Sequence, residues 1–108
     1  MDSSADNNEA IRWASHCGHI TVVERLLRDR RVDPSAYNNF AIRYASHNGY
    51  IAVVERLLQD SRVDSSAANN EAIRWASQNG HIAVVERLLQ DSRVDSSANN
   101  NEAIRIAS

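Results

Sequence analysis

Lysine is absent from the 108 residues, and cysteine, proline, methionine and phenylalanine occur once each. A single cysteine, Cys17, forms no internal disulfide, so a reducing compartment is expected. Only three glycines are present, each isolated, which leaves no glycine-rich loop to cradle a phosphate. All 12 basic residues are arginine and face 14 acidic ones, for a net charge of −2. That balance gives no general attraction to nucleic acid or to an anionic membrane. No apolar run approaches the ~20 residues of a membrane span. The polar, acidic start from Met1 to Glu9 is not a signal peptide. With no Asn-x-Ser/Thr acceptor either, a cytoplasmic, intracellular location is the expectation.

What the chain has is repetition. Ala10-Ile11-Arg12-Trp13-Ala14-Ser15 returns as Ala41-Ile42-Arg43-Tyr44-Ala45-Ser46, as Ala72-Ile73-Arg74-Trp75-Ala76-Ser77 and as Ala103-Ile104-Arg105-Ile106-Ala107-Ser108. The step from Ile11 to Ile42 to Ile73 to Ile104 is 31 residues each time. Gly18, Gly49 and Gly80 keep the same step, as does Val-Val-Glu-Arg-Leu-Leu at 22–27, 53–58 and 84–89. A fixed period of this size marks a stacked-repeat solenoid, in which each unit buries surface against its neighbours. The expected units are 2–32, 33–63 and 64–94, with a half unit at 95–108, together one domain over 1–108.

One unit reads as a helical hairpin and a loop. In the third, Asn69-Asn70 suits a helix N-cap, because an Asn side-chain oxygen accepts from first-turn amides. Glu71 to Gln78 then reads as an inner helix, closed by Asn79-Gly80, where glycine takes the left-handed position past a helix end. Ile82, Val85, Leu88 and Leu89 fall on one stripe of a second, outer helix. Val94-Asp95-Ser96-Ser97-Ala98 is a turn-rich link. Val32, Val63 and Val94 are lone apolar loop residues, expected to pin the loop to the stack. The fold class expected is all-α, with seven helices across three and a half units.

The string Ala-Ser-x-x-Gly-His-Ile-x-Val-Val-Glu-x-Leu-Leu, repeated in register, resembles the ankyrin repeat. The resemblance covers essentially the whole chain and implies an ankyrin-type solenoid of stacked helix-turn-helix units joined by turn-rich loops. Two features depart from the family. Its Thr-Pro-Leu-His is replaced by Glu71-Ala72-Ile73-Arg74 and counterparts, and the period is 31 rather than about 33.

The resemblance implies a concave partner-binding face of inner helices and loop tips. The partner-facing pairs it points to are His16-Cys17, His47-Asn48 and Gln78-Asn79, and the loop-tip column is Asp6, Tyr37, Ala68 and Asn99. These columns vary between units while the core columns do not. Phe40 stands where other units have glutamate, and joins Tyr37, Tyr44 and Tyr50 in an aromatic second unit. The choice there lies between a cluster of binding anchors and drift on a solvated surface. Trp13, Tyr44 and Trp75 form a further column, read as inter-repeat packing with an edge near the groove. Gly18, Gly49 and Gly80 are read as structural helix ends.

Arg12, Arg43, Arg74 and Arg105 form a ladder, read as structural. Glu9, Glu71 and Glu102 lie three residues before an arginine and give weak helix-surface pairs. The guanidinium is expected to reach the loop acids Asp33, Asp64 and Asp95, or carbonyls of an adjacent loop. Cys17 beside His16 does not read as a catalytic pair, since adjacent helical residues diverge. The His16-Cys17-Gly18-His19 string lacks zinc-ligand spacing. No cofactor and no metal are expected.

Two functions stay open. One is a non-enzymatic protein-interaction scaffold, with no nucleic-acid or membrane partner. The other is a designed or excised array without an evolved partner, whose property is stacking. The identity of 51–67 with 82–98 and the half unit at the end suggest the second. Ile104 and Ile106 would then drive end-to-end association through 99–108.

Overall fold

The computed structural model describes residues 3–91, with side chains described from Asn8 onward. Six helices stand in this span: α1 Ser3–His16, α2 Ile20–Leu27, α3 Ala36–His47, α4 Ile51–Leu58, α5 Ala67–Gln78 and α6 Ile82–Leu89. No strand occurs among the described residues. The expected seventh helix, with Asn99, Ile104, Arg105 and Ile106, lies outside them.

The helices form two layers. Inner helix α3 packs between α1 and α5, and outer helix α4 packs against α2 and α6. Each pair is joined at its glycine. Gly18 and Gly49 take φ of +76° and +78°, a conformation that L side chains resist. The next residue's amide closes the end, as in His19 N to Ala14 O at 2.9 Å and Tyr50 N to Ala45 O at 3.0 Å. The missing Cβ is also used. A methyl on Gly18 would meet the Tyr50 ring of the next unit at 2.8 Å, and one on Gly49 would meet His81 at 2.5 Å. The second and third units thus each seat a ring on the glycine of the unit before.

The core runs along the interface between layers. Ile11, Ile42 and Ile73 supply the inner layer, and Val23, Val54, Leu57 and Leu88 the outer. Val32 and Val63 are buried and tie each loop to the stack, as the sequence predicts. Alanines 41, 45, 72 and 76 are also fully enclosed, so inner helices approach closely. Burial of one such branched side chain is worth roughly 1.5–3 kcal/mol.

The first turn of α3, and likewise of α5, departs from expectation. Tyr37, Asn38 and Asn39 all have positive φ (57°, 55°, 62°), as do Ala68, Asn69 and Asn70 (57°, 60°, 61°). Each trio is one left-handed turn, which costs roughly 1–2 kcal/mol per residue with a Cβ and less for Asn. The Asn pair therefore makes the turn instead of capping the helix by its side chain. Asn39 Oδ1 accepts instead from the Asp64 amide at 2.7 Å, and Asn8 Oδ1 from the Asp33 amide at 2.7 Å. Each bond crosses from one unit into the next loop. In α1 the loop-tip position, Asp6, falls within the helix itself, and its side chain lies outside the described residues.

Candidate functional site

Three positions on each inner helix share one face through the spacing i, i+4, i+7. They are Glu9, Trp13 and His16 on α1, then Phe40, Tyr44 and His47 on α3, then Glu71, Trp75 and Gln78 on α5. Stacking of the units turns these nine positions into a grid. Six of them carry rings, and the rings touch in an unbroken series. Trp13 meets His16 at 5.5 Å and Phe40 at 6.0 Å, both edge to face. His16 lies 5.4 Å from Tyr44. Phe40 and Tyr44 stack at 4.2 Å. Tyr44 meets Trp75 at 5.7 Å, and His47 meets Trp75 at 4.9 Å. Contacts of this kind are worth about 0.5–1.5 kcal/mol each beyond burial. They hold the rings in place before any ligand arrives.

The stripe is open to solvent. Trp13 is half exposed, and Phe40, Tyr44, His47 and Trp75 are partly exposed. In the column Trp13, Tyr44, Trp75, Tyr44 meets Trp75 directly, while Trp13 meets Phe40 of the next unit. The column packs on the surface, however, because Ile11, Ile42 and Ile73 already fill the space between layers. Glu9 and Gln78 are exposed, and the grid is apolar at its centre and polar at these corners.

Other expected contact residues fall elsewhere. Asn48 and Asn79 are inter-repeat ties: their side-chain amides donate to His16 O at 3.0 Å and His47 O at 3.3 Å. Cys17, in the same column, is an exposed thiol. Ala68 is part of a left-handed turn. Tyr37 is 66% exposed, and the Arg12 guanidinium lies 3.8 Å from its ring centroid. Arg12 also faces Phe40 at 5.5 Å. Tyr37 and Arg12 therefore form the loop-side edge of the stripe.

Arg43 and Arg74 each brace the turn of their own unit. Arg43 Nε donates to Asn38 O at 2.9 Å and Nη2 to Tyr37 O at 3.0 Å, both in the left-handed turn. Arg74 repeats this with Asn69 O at 3.0 Å. The expected partners Asp33 and Asp64 are engaged differently. Each carboxylate accepts from the amide and hydroxyl of the serine two residues on, Ser35 or Ser66. Glu71 does not pair with Arg74 three residues on but with Arg43 of the unit before it, at 2.8 Å. Asp95 and Glu102 lie outside the described residues.

A second arginine column was not singled out from sequence. Arg62 Nη1 donates to Val32 O of the preceding loop at 2.9 Å, while Nη2 pairs with Asp60 at 2.8 Å. Hydrogen bonds from Arg62 hold the Asp60 carboxyl below its ordinary range, and Arg31 does the same for Asp29. The recurrent Asp-x-Arg at 29–31, 60–62 and 91–93 is the signal that would have found it.

No trio of His, Cys, Asp or Glu placed to hold a metal occurs among the described residues. No helix among them is long and apolar enough to cross a membrane. Neither curated proteins nor solved structures gave a match to the chain. One family model matches, described as Ankyrin repeat, over residues 6–39. Repeats of this family generally mediate protein–protein interaction and typically act as non-enzymatic scaffolds. The matched stretch is followed by two more copies in the same helical register, so the described residues form an all-helical repeat array similar to the ankyrin repeat.

Proposed function

We propose that the chain is a non-enzymatic scaffold that binds a protein partner along its inner-helix face. The observation that carries this reading is the continuous ring series from Trp13 through Phe40 and Tyr44 to Trp75, with Trp13 half exposed. An apolar patch pre-set by its own contacts offers aromatic anchors at little entropic cost. Trp13, His16, Phe40, Tyr44 and His47 would form the centre of the contact, with Tyr37 and Arg12 at its edge. A protein fits this surface better than nucleic acid, because Arg43, beside the centre of the rings, is neutralised by Glu71. The lone exposed thiol of Cys17 suits a reducing, intracellular setting.

The test is affinity capture from cell lysate with the wild-type chain, two stripe variants, Trp13→Ala and Phe40→Glu, and Cys17→Ser as a control. Glutamate is the residue that the other units carry at that position, so the fold should tolerate it. Circular dichroism would check this. Partners held by the stripe should be lost from both variants and kept by Cys17→Ser. Equal capture by all four proteins would overturn the reading.

A further inference from the structure

Among the described residues, the outer layer presents one face on the first unit and a matching ledge on the third. Within the chain, the Tyr50 ring seats on Gly18 and the His81 ring on Gly49. Gly80, next in that column, has no atom of the described residues within 4 Å of where a Cβ would stand. Around it Ile82 is 69% exposed and Leu89 40% exposed. Their counterparts Ile51 and Leu58 pack against the core. At the other end, Val22 is 46% exposed, whereas Val53 and Val84 in the same column are 1% exposed. His19, which heads the column of Tyr50 and His81, is exposed too. Position in the array, not residue type, accounts for these differences.

We propose that the ledge of Gly80, Ile82 and Leu89 takes the His19 and Val22 face of a second copy, stacking chains head to tail. The new contact continues the interface already formed twice within the chain, between α2 and α4 and between α4 and α6. Its ring-on-glycine seat is the same, with His19 entering where Tyr50 and His81 enter. The two surfaces differ, so the contact is heterologous and need not close. It lies on the outer helices and leaves the inner-helix stripe open, so it goes beyond the partner-binding reading.

The experiment is sedimentation velocity across a dilution series of the full chain, Val22→Glu and Ile82→Glu. Both substituted positions are exposed, and circular dichroism would confirm folding. The wild type should grow past a dimer as concentration rises, while each variant alone stays monomeric. An equimolar mixture of the two variants should regain association but stop at twice the chain mass, since it retains one intact ledge and one intact face. A wild type that is monomeric throughout would overturn the proposal. So would variants that associate alone, or a mixture that stays monomeric.

Discussion

Arg43 Nη1 stands 2.8 Å from Glu71 Oε1, joining the second unit to the third, while its Nε and Nη2 hold the turn carbonyls of Asn38 and Tyr37. One guanidinium thus ties two units together and braces a left-handed turn. One unit earlier, Phe40 replaces the glutamate, and Arg12 meets the rings of Tyr37 and Phe40 instead. Two differences, rings at 37 and 40 where the next unit has Ala68 and Glu71, put cation–π contacts in place of an ion pair and extend the ring stripe.

Arg43→Ala should lower stability by about 1–3 kcal/mol, the range for losing partly buried, charge-assisted bonds. Both side chains of the Arg43–Glu71 pair are mostly enclosed, at 14% and 16% exposure. A double-mutant cycle with Glu71→Gln, read by urea denaturation, should show coupling. Strict additivity would mean that the ion pair contributes nothing.

Ala68→Gly should raise the melting temperature. Ala68 sits at φ +57°, where its methyl costs about 1 kcal/mol that glycine avoids. Part of the gain is offset because glycine loses more freedom on folding. The same change at Ala45, buried within the right-handed part of α3, should destabilise by about 1 kcal/mol or more. A like sign for the two variants would contradict the left-handed turn.

Leu57→Ala should cost roughly 2–5 kcal/mol, as for other fully buried leucines. Val22→Ala, at an exposed end of the array, should cost about 0.5 kcal/mol or less in dilute solution. Chemical denaturation of the two variants distinguishes interior from end positions.

Acid should weaken the array in part through Asp60. Its folded pKa lies below the unfolded value, because Arg62 hydrogen-bonds the ionised carboxylate. A depressed carboxyl contributes stability in full above the unfolded pKa of about 3.9 and loses it as pH falls through the folded value. Asp60→Asn should flatten the fall in stability below about pH 4. Asp29→Asn should do less, since its partner Arg31 is largely exposed and solvent screens the pair. Thermal melts between neutral pH and pH 2 would measure both.

The helical hairpin, the glycine ends and the buried loop valines were legible in the sequence. They follow from local pattern: apolar spacing sets the helix faces, glycine permits the positive φ, and a fixed period repeats the result. The Asn-Asn pairs marked the right place but not the right bond. A side-chain oxygen that would cap a helix in isolation finds the amide of Asp64 or Asp33 once a second unit is stacked.

The partners of the arginines were decided in three dimensions. Glu71 lies three residues from Arg74 in sequence, yet pairs with Arg43, because stacking brings the preceding helix within reach. Likewise Trp13, Tyr44 and Trp75 are large and apolar, which in sequence reads as interior. The isoleucines beside them fill the interior first, and the rings are left to pack on one another across the open face. Sequence alone determined the repeat, its helices and its core, because each depends on neighbours along the chain. The tertiary structure decided which side chains meet across units, because that depends on the distance between helices that no local pattern encodes.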